Sequence, residues 1–304
     1  MKVALSLLFI SIFNMSYACD ICGCAINGNS ISGMMPMFNK NLIGLRLTYQ
    51  AFNHPKTILN QSGEKEVLRD VYLSDDVWLR YYLHPKVQAF VNLPIRQNIR
   101  ELLDETQRIS GVGDISMQIN YSLFNNSDSN THKTVLMWWL GGGIKLPNGK
   151  YQQRNAEKTM YPIGFQVGTG AYAYLINNQI SVRRNKIGLN WQTNLILNTT
   201  NELDYQLGNM YQTGFQAFYW HTISPKFKLL PQIGLQYIHF EKDKSYKIIK
   251  LHSGGERINT TLGIDAYINR LMFSAQIQQT VFETRSESMP ITQPTYQLNM
   301  AYFF

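Results

Sequence analysis

The sequence has few cysteines and, after its first residues, no long apolar run. All three cysteines lie in CDICGC at residues 19–24, which confines any thiol chemistry to one short segment. Beyond the apolar run Val3–Phe13, no stretch approaches the about 20 residues that a membrane-spanning helix needs. The mean hydropathy of −0.22 fits a chain of dispersed polar residues. A helical membrane protein is therefore excluded.

The common catalytic motifs are also absent from the sequence. The six histidines are scattered and form no HExxH pair, and no serine occupies a G-x-S-x-G turn. The stretch GIKLPNGK resembles a phosphate-binding loop, but its glycine spacing differs and Tyr151 follows Lys150 where serine or threonine is needed. We therefore predict that the protein is not an enzyme and that it requires no cofactor.

The first residues predict export. Lys2 precedes the apolar run, and Ser16, Tyr17 and Ala18 place small residues at the two positions that a signal peptidase recognises. The sequence thus predicts a signal peptide at residues 1–18. The net charge of +8 could suggest nucleic acid as a partner, but export and the scattered basic residues argue against it.

The composition of the remaining chain favours a transmembrane β-barrel. Tyrosine and phenylalanine are abundant, with 18 and 15 copies, and glutamine and asparagine recur within apolar stretches. In INTTLGIDAYI (258–268) and GLNWQTNLILN (188–198), residues of one parity are mostly apolar and those of the other mostly polar. This period of two is that of a strand with different surroundings on its two faces.

The connections between the predicted strands alternate in length. We predict an all-β fold in which about twelve antiparallel strands at residues 41–304 form the barrel. Four of the connections are tight turns, and a fifth, NNSDSNTHK, is slightly longer. The connections that alternate with these five are all long loops. Short turns at one rim and long loops at the other are typical of outer-membrane barrels. The strands are predicted near residues 41–53, 68–84, 87–101, 114–125, 133–146, 169–183, 187–200, 208–223, 226–241, 256–268, 271–284 and 295–304.

The final residues, TYQLNMAYFF, support the same location. They alternate, and they finish on Phe304, as in the C-terminal signal that barrel-insertion machinery recognises in bacterial outer-membrane proteins. We therefore expect the outer membrane of a Gram-negative bacterium, with membrane lipid, the insertion machinery and a small solute as partners. An even number of strands places the N-terminus on the periplasmic side.

Three stretches resemble a known family. SGVGDISMQINYSL (110–123), WLGGGIKLPNGKY (139–151) and GTGAYAY (168–174) are similar to the family labelled putative MetA-pathway of phenol degradation. The resemblance covers roughly residue 40 to the end. It implies an outer-membrane channel or transporter barrel, often found with the breakdown of aromatic compounds. The family label does not account for CDICGC.

Charged residues on the predicted polar faces are the candidate pore lining, because a charge facing lipid at mid-depth costs about 2–4 kcal/mol for arginine or lysine. They form ion pairs that fill the barrel, or a polar constriction that selects solutes, or both. Trp78, Tyr82 and Phe90 share an inward face, where they either pack together or contact an aromatic or apolar solute. The candidate pore-lining residues are Arg46, Asp76, Arg80, Arg96, Lys145 and Asp265.

The segment 19–40 is predicted to be a periplasmic N-terminal segment with three open interpretations. Cys19 stands at the cleavage site, as a lipid anchor requires, although only Ala18 matches the preceding pattern. Two of Cys19, Cys22 and Cys24 can form a disulfide in an oxidising periplasm. Alternatively, the three thiolates bind a soft ion, copper or zinc, with copper favoured because it tolerates two or three sulfur ligands. The neighbouring methionines are further soft ligands or simply fill the barrel mouth.

The sequence as a whole predicts an outer-membrane channel or facilitated transporter for small solutes, with aromatic or apolar compounds as the candidate solutes. One alternative is a copper-linked barrel that binds the ion through CDICGC. A further alternative is a structural or adhesion barrel that presents its long loops and passes no solute.

Overall fold

The computed structural model describes residues 40–54, 67–127, 134–284 and 290–304. The predicted signal peptide and the three cysteines lie outside these residues. No helix in the described part of the chain is long and apolar enough to cross a membrane.

The described residues form eighteen strands and one short 3-10 helix, Ile163–Phe165. The strands are β1 (Leu42–Asn53), β2 (Val67–His84), β3 (Val87–Leu102), β4 (Thr106–Val112), β5 (Ser116–Asn125), β6 (Thr134–Lys145), β7 (Ala173–Arg184), β8 (Ile187–Asn198), β9 (Tyr205–Gln206), β10 (Met210–Tyr219), β11 (His221–Ser224), β12 (Phe227–Phe240), β13 (Lys244–Ser245), β14 (Ile248–Ile249), β15 (Gly255–Ile268), β16 (Leu271–Glu283), β17 (Ile291–Thr292) and β18 (Thr295–Phe303).

Twelve of these strands close into an antiparallel barrel, which confirms the predicted fold class. Each pairs with its neighbour in sequence, in the order β1, β2, β3, β5, β6, β7, β8, β10, β12, β15, β16 and β18. The ring closes because β18 pairs with β1, from Leu42 opposite Phe303 to Tyr49 opposite Tyr296. A closed ring leaves no sheet edge whose backbone groups would face hydrocarbon.

The short and long connections lie at opposite rims, as the sequence predicts. Two-residue turns join β2 to β3, β7 to β8, β11 to β12 and β15 to β16. In two of them Asn185 and Asn269 adopt positive φ angles of 55° and 56°, which asparagine tolerates better than most residues. The start of β1 and the end of β18 lie at this same rim, where the Phe304 N–H donates to the Asn41 carbonyl oxygen. We call it the short-turn rim.

Alternation sets the two faces of the wall. Along β5 the burial pattern alternates from residue to residue, with Gln118 and Asn120 buried and Met117 and Ile119 exposed. The same pattern gives the barrel an apolar outer surface of exposed isoleucine, leucine and aromatic side chains. Aromatic residues near the strand ends divide between the two faces: Tyr81 faces outward, whereas Trp220 and Tyr82 pack inside the barrel, Tyr82 on the face that the sequence predicts.

Four of the predicted long loops contain short strands that were not predicted from the sequence: β4, β9, β13 with β14, and β17. The loop after β3 contains β4, which pairs with β3 from Ile95 to Glu101. On the same edge of β3, β5 pairs with the other end of the strand. The loop after β12 contains β13 and β14, which pair with β9 from a neighbouring loop into a three-stranded sheet. The barrel wall is thus extended by ordered structure at the long-loop rim.

Candidate pore and its inner wall

The inner wall is polar along the middle of the barrel. Glutamine, asparagine and serine side chains from β5, β7, β8, β10, β12, β15, β16 and β18 face inward and are buried. A cavity of about 20 Å³ lies among glutamines of β10, β12, β16 and β18, which is room for a water molecule. Several inward amide atoms of the described residues have no protein hydrogen-bond partner, including those of Gln118, Asn190, Gln212 and Gln276. Buried amides of this kind are normally satisfied by water or a polar ligand.

Aromatic and aliphatic side chains pack against one another at the short-turn end of the lumen. Trp78 and Phe90 lie with their ring centroids 5.8 Å apart, and Tyr267 and Phe303 lie 6.2 Å apart. Gly44 allows this packing, because a Cβ at that position would be 2.6 Å from the Trp78 ring. We call this group the aromatic layer; its buried members are Leu42, Trp78, Phe90, Phe218, Leu230, Tyr267, Met272, Ala301 and Phe303.

At the opposite end, the connection between β6 and β7 folds against the inner wall. The 3-10 helix Ile163–Phe165 places the Phe165 ring against Tyr72, with centroids 6.2 Å apart, and both side chains are buried. Asn98 on β3 donates to the Phe165 carbonyl oxygen at 2.7 Å, and the Arg100 guanidinium lies 4.6 Å from the Phe165 ring centroid. Burial raises the pKa of the nearby Tyr161 phenol above its ordinary value, and Glu105 acts in the same direction.

Asp114 fastens this connection to the wall. Its buried carboxylate accepts hydrogen bonds from the Gly149 N–H at 2.9 Å, the Thr169 N–H at 2.9 Å and the Thr169 hydroxyl at 2.6 Å. The Lys145 ammonium lies 3.8 Å away. Both ends of the connection are therefore bound to one side chain that lies just before β5. We call residues 146–172 the inserted connection.

Replacing Asp114 by alanine is expected to release the inserted connection. The change removes three charge-assisted hydrogen bonds, so the free energy of local opening should fall by about 3 kcal/mol, roughly a hundredfold in open population. Chymotrypsin cleavage after the buried Phe165 measures that population. Asp104→Ala, an exposed acid in the loop after β3, is the control and should leave the cleavage rate unchanged. Equal rates in the two variants would show that Asp114 does not hold the connection.

The structure buries five of the six candidate pore-lining residues: Arg46, Arg80, Arg96, Lys145 and Asp265 are 0–8% exposed. The sixth, Asp76, is 13% exposed at its side chain and lies 4.0 Å from Arg46.

These six residues do not form one cluster. Arg46 also donates to Asn299 at 3.0 Å, and Asp265 accepts from Gln232 at 3.0 Å. Arg96 instead donates to the Val167 carbonyl oxygen of the inserted connection at 3.3 Å. They are distributed along the lumen, and several of them form hydrogen bonds that join neighbouring strands or bind the inserted connection.

The most deeply buried ion pair of the described lumen was not predicted from the sequence. Asp70 is fully buried and accepts from Arg100 twice, at 2.7 and 2.8 Å, and His54 Nε2 lies 3.0 Å from the same carboxylate. A second missed pair joins Arg257 to Glu283 at 2.8 Å. The alternation of polar residues marks each strand's inward face, but the partners come from different strands and need the register.

No described group of three or more histidine, cysteine, aspartate or glutamate side chains is placed to hold a metal ion. Cys19, Cys22 and Cys24 lie outside the described residues, so their metal, disulfide and lipid interpretations stay predictions.

The fold is that of outer-membrane β-barrel proteins. Within that class, an outer membrane channel from Pseudomonas putida F1 superimposes with a TM-score of 0.64 at 12% identity, covering 87% of this chain and 96% of the channel. The β-domain of a Bordetella autotransporter gives a TM-score of 0.50 at 8% identity, covering 87% of this chain and 100% of that domain. At these identities the likeness concerns the fold.

No family model matches the chain, and no curated protein sequence matches it. The resemblance to the MetA-pathway family therefore stays a prediction.

Proposed function

We propose that the protein is a channel for small solutes in the outer membrane of a Gram-negative bacterium, with its short-turn rim facing the periplasm. The observation that carries the proposal is the contrast between the two faces of one wall. Exposed apolar side chains cover the outside, whereas several buried amide atoms of the described inner face have no protein partner. A barrel that only anchors loops would need no such inner face, because apolar packing would fill it equally well.

The likeness to an outer membrane channel supports the same function. In this proposal Arg46, Asp76, Arg80, Arg96, Lys145 and Asp265 line the solute path, and the aromatic layer and the inserted connection form its two narrow levels. The polar middle between them replaces part of the hydration shell of a passing solute. The metal-linked alternative depends on CDICGC and is supported by no described residue.

Solute flux through proteoliposomes tests the channel. The panel holds neutral sugars of graded size, small aromatic acids and copper ions, with and without residues 19–39. We expect small solutes to enter and entry to fall steeply with size, because two narrow levels lie in series. Entry of one chemical class alone would identify a selective transporter. Absence of flux in both forms, with correctly folded protein, would contradict the channel and favour a structural or binding barrel.

A further inference from the structure

Among the described residues of the short-turn rim, every charged side chain is basic. Every two-residue turn contains or adjoins a lysine or arginine, and none of the described residues 40–42, 83–88, 182–188, 220–229, 267–272 and 300–304 is acidic. The exposed basic residues of this set are Lys40, Lys86, Arg184, Lys186, Lys226 and Arg270. Eight cations on one rim, counting Arg183 and Lys228, produce a positive potential at that mouth of the barrel.

The opposite rim has the acidic residues. The described loops there contain Asp104, Glu105, Glu157, Glu202 and Asp204, mixed with lysines and arginines. The excess of positive charge is therefore not a uniform property of the surface. It is concentrated at the end where the strands turn tightly.

Two of the basic side chains at the short-turn rim point into the lumen. The Arg183 guanidinium lies 5.1 Å and the Lys228 ammonium 5.3 Å from the centroid of the Trp220 ring. Trp220 stacks on Tyr267 of the aromatic layer, with centroids 6.3 Å apart. The ring attracts both cations through its negative face and holds these like charges near one another at the entrance to the aromatic layer.

Deeper in the lumen, the described acids lie close to cations or amides. The shortest pairs join Asp70 to Arg100 at 2.7 Å and Glu283 to Arg257 at 2.8 Å. Looser pairs join Asp114 to Lys145 and Asp76 to Arg46, at 3.8 and 4.0 Å. The fifth acid, Asp265, accepts from Gln232. Each of these contacts lowers the repulsion that an anion in transit would meet.

The described inner face therefore has a net positive charge, because eight inward arginine and lysine residues outnumber these five acids, even when Asp243, which is buried in the loop after β12, is added to them. The eight are Arg46, Arg80, Arg96, Arg100, Lys145, Arg183, Lys228 and Arg257.

We propose that the channel selects anions, with small organic carboxylates as its solute class, and that Arg183 and Lys228 at the short-turn mouth set this preference. The inference rests on the proposed channel function. Six of the eight inward cations are arginines, whose planar guanidinium matches a carboxylate with two parallel hydrogen bonds. Pores that pass anions are commonly lined by arginine and lysine. A pore mouth whose charged side chains all have one sign also concentrates oppositely charged solutes at the entrance.

The reversal potential of the refolded full chain in a planar bilayer, under a potassium chloride gradient, measures the preference. We expect chloride to be more permeant than potassium, and acetate and benzoate to carry current where a quaternary ammonium of similar size does not. In the double variant Arg183→Gln, Lys228→Gln the permeability ratio of anion to cation should fall by roughly threefold. The effect should shrink as the salt concentration rises, since the field is then screened.

The matched control is the double variant Arg108→Gln, Lys247→Gln. It removes the same charge from exposed positions at the long-loop rim and should leave the ratio unchanged. Both variants are first checked for the mobility shift on heating that folded barrels show in gel electrophoresis. No conductance in any form would reject the channel itself. A conducting channel that prefers cations, or whose ratio is the same in the Arg183, Lys228 variant as in the native chain, would overturn the anion preference and leave the channel standing.

Discussion

The Asp70→Asn barrel is expected to lose about 3–5 kcal/mol of its free energy of unfolding, because the change leaves the Arg100 guanidinium buried without the carboxylate that holds it. Asp70 is fully buried on β2, and its two oxygens take two short hydrogen bonds from Arg100 and a third contact from His54. Asparagine keeps the size but offers one oxygen and no charge. A urea titration of the protein refolded in lipid vesicles measures the loss.

Asp76→Asn on the same strand is the control for this measurement. Its carboxylate lies 4.0 Å from Arg46 and is 13% exposed, so the pair is looser. We expect a loss of no more than about 1 kcal/mol there, as for other weakly coupled pairs. Equal losses in the two variants would mean that the bidentate geometry at Asp70 adds nothing to stability.

Trp78→Ala is expected to have the largest combined effect on stability and conductance. Trp78 is 1% exposed and contacts Phe90 and Gly44 within the aromatic layer, while the Arg46 guanidinium lies 5.7 Å from its ring. Removing a buried indole leaves a cavity and should cost about 3–5 kcal/mol. Because the lost ring is part of a proposed narrow level, single-channel conductance should rise.

Trp138→Ala separates these effects from the loss of any tryptophan. Trp138 faces outward on β6, is 41% exposed, and donates from its indole nitrogen to Asn178. Its removal should lower stability only modestly and leave conductance unchanged. If Trp78→Ala and Trp138→Ala conduct alike, the aromatic layer does not limit the passage of ions.

The wall of the barrel could be predicted from the sequence, because it depends on local information. Polar and apolar residues alternate within each strand, and turns such as Arg184-Asn185-Lys186 interrupt the alternation at regular places. Closure follows from the rule that a sheet in lipid cannot keep an open edge. By contrast, β4 was missed because Thr106–Val112 is short and begins directly after Asp104 and Glu105, which suggest a loop.

The contents of the lumen were only partly predictable. Alternation places Arg46 and Asp265 on the inner face, but it gives no height relative to another strand, so the pairing of Asp70 with Arg100 could not be read from it. The position of the inserted connection inside the barrel could not be predicted from the sequence either. Its apolar stretch IGFQV (163–167) is too short to identify as an element. Its anchor, Asp114, is separated from Thr169 by the whole of β5 and β6 and by most of the connection itself.

The seam between β1 and β18 determines when the barrel can become complete. It joins Leu42 to Phe303, so the last pairing of the ring needs a strand that ribosomes make some 250 residues after its partner. Every earlier intermediate of the sheet has two unpaired edges, and such edges readily join to other chains. The time spent in that open state, rather than the stability of the finished ring, therefore governs the risk of aggregation during assembly. Any factor that shields β1 until β18 arrives would act on the rate of maturation and leave the equilibrium unchanged.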